Sequence, residues 1–340
     1  MPARGDTRQV VVITGASAGL GRAIARRFAD EGAAIGLIAR GRERLEDAQR
    51  DVEARGGLGL VLPLDVADAD AVHHAAERVE RELGPIDVWI NNAMVSVYSP
   101  IRSMPADEFR RVTEVTYLGQ VHGTLAALEH MLPRDRGVIV QVSSALAYRS
   151  IPLQSAYCAA KHAVLGFTAS LRSELIHDGS AVRVTMVHMP ALNTPQFDWP
   201  RNRLPHRPQP VPPICQPEVG AEAVFHASQH DVGRELMVGW PTVKAVVGNK
   251  VIPGWLDGYL ADKAWEGEQT EEPEDPNRPD NLWDPVPGPW AAHGRFDDRA
   301  EAVSHELQLR LNREWLLVGA AGLAGALLGA FTGDRSAPHD

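Results

Sequence analysis

The chain has 340 residues, 44 % of them hydrophobic and 23 % charged, and a formal net charge of −10. That balance reads as a soluble globular protein with one large core or two small ones. An acidic chain offers no basic patch for nucleic-acid phosphates, so nucleic acid is excluded as the main partner.

The chain opens on MPARGDTRQ, which lacks the apolar run of a secretory signal. Short β-branched runs then alternate with amphipathic, charged stretches. QVVVIT (9–14) predicts a buried strand, and LGRAIARRFADEG (20–32) a helix with Leu20, Ala23, Ile24 and Phe28 on one face. AAIGLIA (33–39) is the next strand and 43–55 the next helix. Strands follow at 58–66, 87–93, 137–144 and 182–188, with helical patterns at 68–83, 106–132 and 154–178. This alternation predicts an α/β fold, a Rossmann-type doubly wound parallel sheet covered on both faces.

After residue 190 the texture changes. Residues 191–217 hold eight prolines, which exclude regular helix or central strand. A helix (218–230), a strand (234–240) and a helical region (242–265) complete a single domain over residues 1–265. Residues 266–296 are acidic and proline-rich and read as an extended linker. A last helical pattern over 297–340 includes WLLVGAAGLAGALLGAFTG (315–333), which carries no charge. No solenoid-type repeat is visible. Two cysteines, Cys158 and Cys215, make neither a disulfide framework nor a zinc-spaced cluster, so no metal is expected and a reducing compartment fits.

Two local patterns carry chemistry. TGASAGLG (14–21) joins the first strand to the first helix. Its glycines suit a tight turn that lets backbone approach a pyrophosphate at a helix N-terminus. In AYCAAKHAV (156–164), Tyr157 and Lys161 stand one helical turn apart, so an ammonium lies beside a phenol on one face.

TGASAGLG, NNA at 91–93, Ser144 thirteen residues before Tyr157, and Tyr157-x-x-x-Lys161 together resemble the short-chain dehydrogenase/reductase superfamily. The resemblance spans residues 8–240. It implies that Tyr157 is the catalytic acid/base and that Ser144 hydrogen-bonds the substrate oxygen. Lys161 would lower the phenol pKa and hold the nicotinamide ribose. It places Thr14, Gly15, Ser17, Gly19, Leu20 and Gly21 against the dinucleotide. Asp65 and Val66 would flank the adenine, Asn91 and Ala93 line the groove, and Pro190 and Thr194 lie near the nicotinamide.

Two residues depart from the family pattern. Thr116 stands where the family has an asparagine in its proton relay, and Met94 where it has glycine. Thr116 is retained as a catalytic candidate, with a relay that is altered or uses another group.

The second strand ends LIARGRERL. Ala39 replaces the aspartate of NAD-type members and Arg40 follows, which favours NADP(H) over NAD. The function implied is an NADP(H)-dependent oxidoreductase acting on a carbonyl or secondary alcohol. Phe197 and Trp199 in the proline-rich lid (191–217) suggest a small apolar substrate. An NAD-dependent alcohol dehydrogenase of the same fold is the alternative. A non-catalytic nucleotide-binding scaffold or sensor is the reading from another class. The family's habits imply a homo-oligomer paired through helices 106–132 and 154–178. As a helix, 315–333 would reach about 28 Å, close to the ~30 Å of a hydrocarbon core. It is therefore a candidate membrane segment, with Arg310 and Arg313 holding the domain on the cytoplasmic face.

Overall fold

The computed structural model describes residues 8–311. Seven strands form the main sheet: β1 (Val10–Thr14), β2 (Ala34–Ala39), β3 (Leu58–Pro63), β4 (Val88–Asn91), β5 (Val138–Ser144), β6 (Arg183–Met189) and β7 (Glu235–Met237). Their spatial order is β7-β6-β5-β4-β1-β2-β3, and every neighbouring pair is parallel. The order reverses direction at β1, which creates a crevice at the carboxyl ends of β1 and β4.

The helices are α1 (Gly19–Ala29), α2 (Arg42–Ala54), α3 (Ala69–Glu82), α4 (Ala106–Thr113), α5 (Gly119–Met131), α6 (Ser155–His177), α7 (Pro217–Gln229), α8 (Gly239–Val251), α9 (Pro253–Gly267) and α10 (His305–Leu311). The strand period of two divides the core. Val11 and Ile13 of β1 pack with α1, α2 and α7 on one face, while Val10 and Val12 pack with α3, α5 and α6 on the other. Both faces are apolar because helices cover both, as the near-continuous β-branched runs imply.

The structure differs from the sequence reading at three places. The single helix expected over 106–132 is interrupted by a π-helical turn at Glu114–Leu118. The helical region expected over 242–265 is two helices, broken where Ile252 precedes Pro253.

The third difference corrects the linker. Residues 266–296 lie packed across the catalytic unit. Gln269–Pro273 pairs antiparallel with His206–Pro208, and Leu282 and Ala292 are fully buried in the two main clusters. Proline and acid content concealed these few apolar contacts. The acids meet fixed cations instead of repelling one another: Glu274 with Arg278, Asp280 with Arg201, Glu272 with Arg207. Phe197, in the lid, packs with Tyr98, Leu204 and Phe296.

Among the described residues, no helix is long and apolar enough to cross a membrane. The candidate segment 315–333 lies outside the described residues.

Candidate active site

The turn after β1 is held against β4 by one hydroxyl. Thr14 Oγ1 accepts from the backbone N–H groups of Asn92 and Ala93, at 2.9 and 3.0 Å, and donates to Ile90 O at 3.3 Å. Gly15 has a φ of +70°, and a Cβ there would lie 2.9 Å from Ala93 Cα. A Cβ on Gly21 would lie 2.1 Å from Gly15 O. Glycine at both positions is thus a condition of the tight turn that aims the start of α1 at the crevice.

A cavity of about 410 Å³ runs along this crevice. Gly15, Ser17, Gly19, Leu20 and Gly21 border one end, with Arg40, Asp65, Val66 and Ala93. Ser144, Tyr157 and Lys161 border the other, and Pro190 and Thr194 also line the cavity, Thr194 beside Gly19, where a Cβ would lie 3.2 Å from it. Three predicted site residues do not line it. Thr14 acts from behind, as described. Asn91 is fully buried beneath the floor, where Trp89 Nε1 donates to its Oδ1 and its Nδ2 donates to Thr124 and Gln141. Strand alternation turns Asn91 into that network, and the neighbouring Asn92 faces the cavity instead.

Thr116 is the third. It sits in the π-helical turn, fully buried, and its hydroxyl accepts from Val95 N at 3.1 Å and donates to Val95 O at 2.9 Å. Its single proton is committed to backbone, so it pins the loop carrying Met94 and Val95 and has none free for a relay. Met94 borders the cavity.

At the far end, β5 delivers Ser144 and α6 delivers Tyr157 and Lys161. Ser144 Oγ accepts from Leu146 N at 3.1 Å and hydrogen-bonds the Tyr157 phenol. Lys161 is 2 % exposed, donates to Val142 O at 2.8 Å, and its Nζ lies 5.7 Å from the Tyr157 ring centre. Burial raises the phenol above its ordinary range, and the Ser144 contact opposes that only in part. Burial also pulls the Lys161 ammonium down to about 7. Burial is the largest cause of both shifts.

Two further networks support these groups. Fully buried His188 faces Ser144 O with Nδ1 at 3.3 Å and Glu235 Oε2 with Nε2 at 3.0 Å, and Glu235 also accepts from the Tyr148 hydroxyl. The His188 hydrogen bond holds the Glu235 carboxyl down at about 2. On the substrate side, Gln154 borders the cavity and donates to fully buried Glu268 at 3.3 Å. Burial pushes the Glu268 carboxyl up to about 8. Sequence reading singled out neither carboxylate, because each meets its partner only through the fold.

The segment 281–292 closes the outer wall. Arg40 donates to the carbonyls of Asn281, Leu282 and Trp283, at 2.6, 3.4 and 2.7 Å. Arg22 reaches Trp290 O, and Gly19 N donates to Ala291 O at 2.9 Å. Asp65 is paired with Arg111. Arg44 stays turned into the cavity, its guanidinium 5.1 Å over the Trp199 ring.

A glycine turn at a helix N-terminus, cations at the end of β2, and a serine–tyrosine–lysine set at the opposite end of one cavity fit a nicotinamide dinucleotide. The short chain dehydrogenase family model matches residues 9–202, and the chain belongs to that family. An uncharacterized oxidoreductase of Bacillus subtilis, YxnA, is 30 % identical over 81 % of this chain and 78 % of its own. Human dehydrogenase/reductase SDR family member 7 is 40 % identical over 50 % of this chain and 51 % of its own. An alcohol dehydrogenase from Thermococcus sibiricus, solved with 5-hydroxy-NADP, superposes with a TM-score of 0.59 at 29 % identity, covering 68 % of this chain and 96 % of that one. A short-chain dehydrogenase from Streptomyces avermitilis gives 0.62 at 26 %, covering 77 % and 98 %. The chain is therefore an NAD(P)-dependent oxidoreductase of the short-chain type.

Proposed function

We propose that the enzyme uses NADP(H) and interconverts an apolar carbonyl compound and its secondary alcohol. One observation carries this reading. Tyr157 lines one end of a cavity whose other end holds Arg40 and Arg44, and Asp65, the one carboxylate among the described lining residues, is paired to Arg111.

The nicotinamide supplies or accepts the hydride. Tyr157 gives its proton to the substrate oxygen during reduction and recovers it in the reverse direction. Ser144 orients that oxygen, and Lys161 holds the ribose hydroxyls. Ser17, Leu20 and Gly21 receive the pyrophosphate side, and Pro190 and Thr194 border the nicotinamide. Arg44 receives the 2′-phosphate, since the Arg40 donors already meet carbonyls of 281–283. Tyr98 and Phe197 give the substrate end apolar walls, whereas Trp199, which the sequence reading also placed there, lies under the Arg44 guanidinium at the other end. Homo-oligomers pair through 106–132, which holds α4 and α5, and through α6, where Leu125 and Ile176 are exposed. The segment 315–333 anchors the chain to a membrane, with the catalytic domain on the cytoplasmic side.

Fluorescence titration with NADPH and then NADH tests the cofactor reading. NADPH binds at least tenfold tighter, and Arg44→Gln weakens NADPH while leaving NADH nearly unchanged. Equal affinities in the wild-type protein would move the assignment to NAD-linked alcohol oxidation.

A further inference from the structure

Three residues before Tyr157, Gln154 borders the substrate end of the cavity with Ser96 and Tyr98. Both ends of its amide are held. Nε2 donates to Glu268 Oε2 at 3.3 Å, and Oε1 accepts from Ser96 Oγ at 3.5 Å. Ser96 follows Val95, whose two backbone groups Thr116 already fixes. An amide nitrogen carries two protons, so one N–H of Gln154 stays uncommitted. Two other polar side chains that line the cavity are spent on backbone or on a neighbour. Gln209 Nε2 donates to the carbonyls of Gly267 and Gln269 while its Oε1 accepts from Arg299, and Thr242 donates to Val238 O.

Glu268 stands behind this wall. It is fully buried, and its one side-chain hydrogen bond among the described residues is the one from Gln154. Its backbone is fixed by residues that do line the cavity: Glu268 N donates to Ala264 O at 3.0 Å, and Gln209 N donates to Glu268 O at 2.9 Å. A carboxyl without a cation is costly to bury. Burial pushes it up to about 8, so at neutral pH it keeps its proton and puts no charge beside an apolar ligand. Tyr98 lies within electrostatic reach of both Glu268 and Tyr157, which places the pair close to the reacting end.

We propose that Gln154 reads a second, uncharged oxygen on the substrate, and that Glu268 is the residue that positions it. The inference rests on the carbonyl–alcohol reading above and narrows its substrate class. The substrate has an apolar body with the reacting carbonyl at one point and a hydroxyl or second carbonyl at another. The free N–H of Gln154 requires an acceptor. Of the charged groups among the described lining residues, Arg40, Arg44 and Asp65 stand at the cofactor end, and Lys161 donates to Val142 O, so no cation is left for a substrate carboxylate. Anchoring at Oε1 and Nε2 fixes the donor before the substrate arrives, which lowers the ordering cost of the contact.

Matched ketones, reduced with NADPH, test this. 3-(Hydroxymethyl)acetophenone and 3-ethylacetophenone have nearly the same shape and differ by one oxygen remote from the carbonyl; the 4-substituted pair places that oxygen farther away. In the wild-type chain one pair should favour the hydroxymethyl ketone by about tenfold or more in kcat/KM, because a site that hydrogen-bonds an oxygen rejects the analogue lacking it. The matching acetylbenzoate should be poorer than the ethyl ketone. Gln154→Leu should bring the ratio to within about twofold. Glu268→Leu removes the acceptor that holds Gln154 and should do the same, whereas Glu268→Gln keeps an acceptor oxygen and should keep most of the preference. NADPH titration checks that each variant is folded. A wild-type ratio near one in both pairs, a preference for the acetylbenzoate, or a preference that survives Gln154→Leu would overturn the proposal. Equal losses in Glu268→Gln and Glu268→Leu would overturn the positioning role. Where no ketone turns over, the same ratios are read as affinities for the NADPH complex. Turnover without preference refutes this inference alone; neither turnover nor binding of any ketone refutes the carbonyl reading and this inference with it.

Discussion

Replacing Lys161 by methionine should separate its cost to the fold from its use in the site. Lys161 is 2 % exposed, and burial lowers it from 10.5 to about 7. The folded state therefore binds fewer protons than the unfolded chain between those values, and stability from this group rises with pH across that window. Below pH 7 the full penalty applies: 3.5 units at ~1.36 kcal/mol each is about 5 kcal/mol, an upper bound. At pH 9 a lysine with these two values still costs about 2 kcal/mol. Methionine matches the stem and carries no charge, and Val142 O keeps its second donor, Gln120 Nε2, at 3.2 Å. Urea unfolding at pH 6 and pH 9 should show Lys161→Met stabilised at both, with a gain about 3 kcal/mol larger at pH 6. Turnover should fall at both. A gain independent of pH, or a destabilised variant, would refute the burial argument.

Two other substitutions probe the supporting networks. His188→Asn removes the bridge between Glu235 and the Ser144 carbonyl; kcat should fall at least tenfold with little change in NADPH affinity, and Glu235→Gln should fall in the same direction. Equal losses in kcat and cofactor affinity would reduce the network to general packing. Glu268 has the opposite linkage to Lys161. Its carboxyl is raised from 4.5 to about 8, so the folded state binds the extra proton and stability declines as pH rises through that window. Glu268→Gln should remove that decline in unfolding measured at pH 5 and pH 8.

The sheet was legible because each strand is a short β-branched run between amphipathic helices, and residues such as Val11 and Val12 alternate faces as the period of two requires. The serine, tyrosine and lysine were legible because a fixed spacing and one helical turn bring them together. Asn91 was misplaced because the sequence does not say which of two adjacent asparagines a strand end turns outward. The wall formed by 281–292 was hidden because its grip on Arg40, Arg22 and Gly19 is through backbone carbonyls, which leave no mark on side-chain pattern. Thr116 could be recognised as a departure, but that its hydroxyl is spent on Val95 depends on a π-helical turn that periodicity does not reveal.

The most direct test of the account is Tyr157→Phe, which removes one hydroxyl and keeps the ring. NADPH titration and turnover of an apolar ketone would be measured side by side on this variant and the wild-type protein. The account predicts that NADPH binding stays within about twofold while turnover falls by ~10²-fold or more, the scale of a lost general acid. Turnover retained near the wild-type rate would contradict the assignment of Tyr157 as the proton donor.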